Sequence, residues 1–179
     1  MRNKLYMVIP CYNEQEVLPE TSKRLKEKLS TLVKAGKIDP ESRIIFVNDG
    51  SKDRTWEIIR GLHEEDPVFG GVNLSRNRGH QNALLAGLMI VKDHADMAIS
   101  MDADLQDDIN AIDEMVEKYL DGTDIVYGVR SSRERDTFFK KATAESFYKM
   151  MNAMGANTVF THADYRLMSK RALEGLAEF

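Results

Sequence analysis

The sequence predicts an α/β fold: a largely parallel central sheet with helices on both faces. Three observations carry this. Short apolar runs alternate with helix-length amphipathic segments, the β-α-β-α pattern that builds a parallel sheet. Polar clusters follow each of the first four runs, at the strand ends where such sheets bind ligands. The length, 179 residues, fits one domain.

The elements follow in order. Leu5–Ile9 is the first strand, and the segment from Glu14 to Val33 has Val17, Leu18, Leu25, Leu29, Leu32 and Val33 at helical spacing. Arg43–Val47 is the second strand. A helix over Thr55–Glu65 follows Asp53, a residue type that caps helix N-termini. Gly71–Leu74 is the third strand, with a helix from Gln81 to His94; Met97–Met101 is the fourth, with a helix from Ile109 to Leu120. Asp124–Val129 is the fifth. After Arg130 the pattern changes to a polar, basic stretch over residues 131–141, then a helix from Ala142 to Met154. The residues around Leu173 read as a final helix.

Composition narrows the function. The formal net charge is −4, from 25 basic and 29 acidic residues, which argues against a broad electrostatic nucleic-acid surface. A polyanionic substrate would need local neutralisation by a metal or a few placed cations. Cys11 is the one cysteine, so no internal disulfide forms; with no His or second Cys near it, it reads as a small buried residue. The apolar stretch Ala83–Val91 is too short to span a bilayer, which takes about 20 residues.

The sharpest cluster is Asp102-Ala103-Asp104-Leu105-Gln106-Asp107, directly after an apolar strand. Aspartates at i and i+2 would point the same way if the strand continued. Hard oxygen ligands of this kind suit Mg2+ or Mn2+ shared with substrate phosphates. A solvated acidic loop favouring the next helix N-terminus fits the same residues. After the second strand, Asn48-Asp49-Gly50-Ser51 makes a turn in which Asp49 could accept hydrogen bonds from a base or a ribose. In the first loop Tyr12 offers a flat ring, with packing the equal alternative. For His80 and Gln81, beside Arg76 and Arg78 at a helix start, ligand contact, packing and capping all remain open.

Together the strings VIPCYNE (8–14), VNDGSKDRT (47–55), LSRNRGHQNALLAG (74–87), DADLQDD (102–108), YGVR (127–130) and ADYRLMSK (163–170) resemble family 2 glycosyltransferases of the GT-A fold, a Rossmann-like architecture. Within that family they are most similar to polyprenyl-phosphate sugar transferases of the dolichol-phosphate mannose synthase and undecaprenyl-phosphate glucosyltransferase type. The resemblance implies that Pro10, Tyr12, Glu14, Val47 and Asp49 line a nucleotide pocket. It also implies that Asp102, Ala103 and Asp104 meet the donor diphosphate, with Asp102, Asp104 and Gln106 around Mg2+ or Mn2+. Arg130 would contact the diphosphate or a lipid phosphate. Asp164 would be the carboxylate proposed as catalytic base, followed by Arg166. The departures are Asn48 where many relatives have Asp, and Asp108-Ile109 where a proline is common.

The implied function is inverting transfer of a sugar from a nucleotide-diphosphate donor, UDP-sugar favoured, to a polyprenyl phosphate at the cytoplasmic face of the cell membrane. One alternative is transfer to a saccharide hydroxyl in cell-surface polysaccharide synthesis; another is a non-catalytic nucleotide-binding module. A nucleotidyltransferase would carry a Gly-rich loop after the first strand, and Pro10–Glu14 contains no glycine. The chain reads as a single GT-A catalytic domain, 1–179, that stops before the C-terminal amphipathic and transmembrane segments of such relatives. Arg130, Arg133, Arg135, Lys140 and Lys141 around Phe138 and Phe139 suit a membrane-facing segment over 130–141, since cations and aromatic rings both favour the lipid interface; a solvated loop with the two phenylalanines in the core fits the same residues equally.

Overall fold

A computed structural model describes residues 2–128 and 164–178. The elements run β1 (Leu5–Cys11), α1 (Leu18–Lys34), β2 (Arg43–Asn48), α2 (Thr55–Glu65), β3 (Phe69–Asn73), α3 (His80–Val91), β4 (Met97–Ser100), α4 (Ala111–Leu120), β5 (Ile125–Tyr127), β6 (Arg166–Ser169) and α5 (Lys170–Leu176). The sheet order is β3-β2-β1-β4-β6-β5. Strands β1 to β4 pair in parallel, and β6 is antiparallel to both neighbours. The predicted fold class therefore holds, with one strand running backwards. The predicted stretch 131–141 and the helix over Ala142–Met154 lie outside the described residues.

Strand alternation sorts the core into two layers. On one face, Val8, Val47, Ala98 and Met168 meet Ala83, Leu84 and Leu88 of α3 and Leu173 of α5. Helix α3 is apolar nearly all round (HQNALLAGLMIV), which suits a helix laid against the sheet centre. Gly87 lets it come close: a Cβ there would stand 2.5 Å from Val8 Cγ1 and 2.7 Å from Val47 Cγ2. On the other face Gly71 receives Ile59 and Trp56 of α2. Helix α1 lies beside α2 and is tied to α4 by the Lys28–Asp113 ion pair.

The topology places the site. From β1 the chain winds outward through β2 to β3, then returns to set β4 on the other side of β1. The order reverses between β1 and β4, and a crevice opens there at the carboxyl ends, the switch point where open α/β sheets bind ligands. Because β6 runs backwards, its beginning reaches the same edge and delivers Asp164 and Tyr165 to it.

Candidate active site

A cleft of about 390 Å3 opens at this switch point. Its floor is Pro10 and Cys11 at the end of β1 and Ala103 beyond β4; its walls carry Tyr12, Glu14, Asp102, Asp104, His80 and Asp164. Among the described lining residues, His80 is the one side chain that can carry positive charge. The surroundings are therefore acidic, an environment that calls for a cation when phosphates enter.

Three sets of hydrogen bonds build the walls. The first joins the loops after β1 and β2: the Asn13 amide donates to Ser51 Oγ at 2.9 Å, Lys52 N to Asn13 Oδ1 at 2.8 Å and Glu14 N to Thr55 Oγ1 at 2.8 Å. Asn13 takes a left-handed backbone (φ 56°), which Asn tolerates better than most residues. The second set centres on Asp49, which is 2% exposed. Its two oxygens accept from the amides of Arg78 (2.6 Å) and Gly79 (3.0 Å), so the carboxylate fixes the loop that launches α3. The third holds the acidic loop: Thr21 of α1, fully buried, donates to the Ala103 carbonyl at 2.6 Å. Leu105 turns the chain through a left-handed conformation (φ 57°), and the Gln106 amide donates to Asp104 Oδ1 at 3.1 Å.

Opposite this loop, His80 Nε2 stands 3.0 Å from Asp164 Oδ2 and 3.5 Å from Asp102 Oδ1. One ligand atom from each of these three residues falls within a cluster 4.8 Å across. The Gln81 amide nitrogen is 3.0 Å from both Asp164 oxygens, and Ser100 Oγ donates to the Asp164 carbonyl. Partial burial pushes the Asp102 carboxyl above its usual range; His80 pulls it back, while Asp107, Asp104 and Asp164 push it up further. Glu14 is raised by burial and by the charges of Asp104, Asp53 and Asp102. Like charges held this close disfavour ionisation, and a divalent cation would relieve that cost.

Most residues expected at the site converge on the cleft: Pro10, Tyr12, Glu14, Asp49, Asp102, Ala103, Asp104 and Asp164 all line it. Others fall elsewhere. Val47 is fully buried in the core layer under α3 and does not line the cleft. Gln106 is exposed and contributes its backbone amide to Asp104. Strand β4 ends at Ser100, so Asp102 and Asp104 stand on a turn and not on a continuing strand; the tight cluster takes Asp102 but not Asp104. Arg166 opens β6, and its Nε is buried with no hydrogen-bond partner among the described residues. Arg130 lies outside the described residues, as does the whole segment over 130–141. Burial raises the Cys11 thiol pKa and Cys11 Sγ donates to the Ile9 carbonyl, so it stays an unreactive thiol, as expected. His80 and Gln81, whose roles the sequence alone leaves open, both meet Asp164; the glycine directly before them in the sequence is the local signal of a helix start there.

The crevice at a β1/β4 switch point and its acidic lining define an open α/β protein with a ligand cleft at the carboxyl ends of its strands. Comparison makes this specific: residues 6–176 match the model of glycosyl transferase family 2, and the chain belongs to that family. It is 50% identical over 175 residues to the uncharacterized glycosyltransferase YkoT of Bacillus subtilis, covering 98% of this chain and 52% of that protein. It is 38% identical over 177 residues to the bactoprenol glucosyl transferase of Shigella phage SfV, covering 97% and 54%. The chain thus spans about half the length of the curated relatives it matches. Among solved structures it is similar to the mannosyltransferase PcManGT from Pyrobaculum calidifontis, solved in complex with GDP-Man and Mn2+. The TM-score is 0.57 at 20% identity, over 98% of this chain and 47% of that one, a likeness of fold.

Proposed function

We propose that the protein transfers a sugar from a nucleotide-diphosphate donor to a polyprenyl phosphate at a membrane surface. The observation that carries this is the convergence of Asp102, Asp104 and Asp164, with His80, on one cleft at the sheet's switch point. The relative named bactoprenol glucosyl transferase supports the lipid acceptor, and UDP-glucose is the first donor to try.

Tyr12 and Glu14 form the nucleotide side of the cleft. Asp102 and Asp104 would hold Mg2+ or Mn2+, a fit that rests on their hard oxygen donors and on the crowding of negative charge around Asp102. When bound, the cation stabilises the negative charge left on the departing diphosphate. Arg130 and Arg166 supply guanidinium donors for phosphate, whose planar fork matches its oxygens.

Asp164 stands on the acceptor side. The acceptor oxygen attacks the anomeric carbon in line, the bond to the diphosphate breaks, and the configuration inverts. A phosphate monoester has a second pKa of about 6 in water, so part of the acceptor still carries its last proton near neutral pH. In this reading Asp164 accepts that remaining proton or its hydrogen bond. Asp164→Asn is expected to lower kcat by about 10²-fold or more, in the range of a general base, at unchanged donor affinity. A loss under about threefold would refute that role.

The first test is calorimetric titration with UDP, GDP and UDP-glucose, with Mn2+ and with EDTA, beside Asp104→Ala. Metal-dependent binding of one nucleotide, lost in the variant, supports the reading. A folded full-length protein that binds none of them refutes it.

A further inference from the structure

The first turn of α3 presents two adjacent side chains to one carboxylate. Gln81 places its amide nitrogen 3.0 Å from each Asp164 oxygen, and His80 Nε2 stands 3.0 Å from Oδ2. We propose that His80 and Gln81 are positioning residues that hold the Asp164 carboxylate at a fixed place and orientation on the acceptor wall of the cleft. This rests on the transferase reading above and deepens it.

The surroundings make such a device necessary. Asp164 lies two residues before β6, where strand pairing does not fix a side chain. Its carbonyl is held by Ser100 Oγ, which secures the backbone and leaves the carboxylate rotor free. A carboxylate among other carboxylates would swing toward solvent to escape repulsion. Donors on both of its oxygens remove that freedom, and a group fixed before substrate arrives reacts without first losing rotational entropy. The donors come from an element that is itself anchored: Asp49 accepts from the Arg78 and Gly79 amides just before them. The chain of support runs from β2 through Asp49 to α3, and from α3 to Asp164 before β6. His80 also reaches toward Asp102 Oδ1, at 3.5 Å, so the same turn spans the donor and acceptor walls.

The rival assignment makes His80 and Asp164 metal ligands with Asp102, since one atom of each lies within 4.8 Å of the others. It predicts a different pattern. A positioning residue acts through Asp164 and is silent when Asp164 is gone; a ligand acts through the metal.

The test is a double-mutant cycle in the full-length protein, reading turnover on polyprenyl phosphate and, separately, Mn2+ and UDP-sugar affinity by calorimetry. Gln81→Met keeps length and removes the amide donor that reaches both Asp164 oxygens, and the exposed position spares the fold. It should lower kcat about tenfold where Asp164 is intact and less than twofold in the Asp164→Asn background, the non-additivity expected of residues acting as a unit. Mn2+ affinity should change less than threefold in Gln81→Met and in His80→Ala, while His80→Ala lowers kcat. Equal losses in both backgrounds, no loss in the first, or a tenfold fall in Mn2+ affinity in His80→Ala overturns the positioning role. Failure of the transferase reading is distinguishable, because it shows as absent nucleotide binding in the unsubstituted protein.

Discussion

Gly50→Ala is expected to damage both stability and the cleft, and its size follows from the geometry. Gly50 sits at φ +65°, and a Cβ there would lie 2.4 Å from both the Arg76 carbonyl carbon and the Asn77 nitrogen. These are backbone atoms, so no rotamer change relieves the contact. The left-handed conformation alone costs a non-glycine residue about 1 kcal/mol. Ordinary contact then requires the 76–77 backbone to retreat by roughly 1 Å, against interiors packed as densely as crystals. That retreat stretches the bonds from Arg78 N and Gly79 N to Asp49. Hydrogen bonds to a charged group contribute about 1.5–3 kcal/mol each, and Asp49 is too buried to recover them from water. Losing one gives a total of about 2.5–4 kcal/mol, or a fall in Tm of about 5–16 °C for a chain of this size. The assay is urea denaturation at pH 7, reading the midpoint at constant slope, with nucleotide titration alongside. In an Asp49→Asn background the cost should shrink toward the conformational part alone. A destabilisation below about 1 kcal/mol, with nucleotide affinity intact, would refute the claim that Asp49 and this close approach together set the start of α3.

Further outcomes test other supports. Thr21→Val keeps shape but leaves the buried Ala103 carbonyl without its donor, so thermal melting should show a loss of about 1–3 kcal/mol, together with weaker metal-dependent nucleotide binding. Gly87→Ala gains helix propensity of about 1 kcal/mol yet drives a methyl into Val8 and Val47; overpacking should win, and a stabilised variant in denaturant melts would contradict the packing described. Asp66→Asn probes pH. The Lys26 ammonium, with the Val68 amide, holds the Asp66 carboxyl below its usual range, so its contribution is present above the unfolded value near 3.9 and fades as pH falls through the lower folded value. The variant should be less stable by about 0.5–1 kcal/mol at pH 7 and indistinguishable from the parent near pH 2.

The sequence carried the parallel core well because each strand announces itself locally. Arg43–Asn48 and Thr55–Glu65 appear within a residue of where hydrophobic spacing puts them. Strand β6 escaped notice. Its four residues, Arg166–Ser169, are a strand only because β4 and β5 flank them from distant parts of the chain, and no periodicity develops over so short a run. Helix α1 starts at Leu18, later than its apolar spacing suggests, because Asn13, Glu14 and Gln15 bond to the loop after β2. Asp53 was read as a helix cap; Arg54 holds that position, and Asp53 accepts from Thr55 N and Gln15 N, joining two loops. The same limit governs Asp49. Its residue type suits a ligand and its place after a strand is right, but the donors that claim it are amides some thirty positions on, which only the folded chain reveals.

Gly128 N donates to the Tyr165 carbonyl at 2.8 Å, and a Cβ on Gly128 would meet the Tyr165 ring at 2.4 Å. Gly128 directly follows β5 and Tyr165 directly precedes β6, so the two residues act as a clasp between neighbouring strand ends. The clasp fastens the outer edge of the sheet and fixes the backbone one residue away from Asp164. A side chain at position 128 would have to displace the Tyr165 ring, so the fastening depends on glycine.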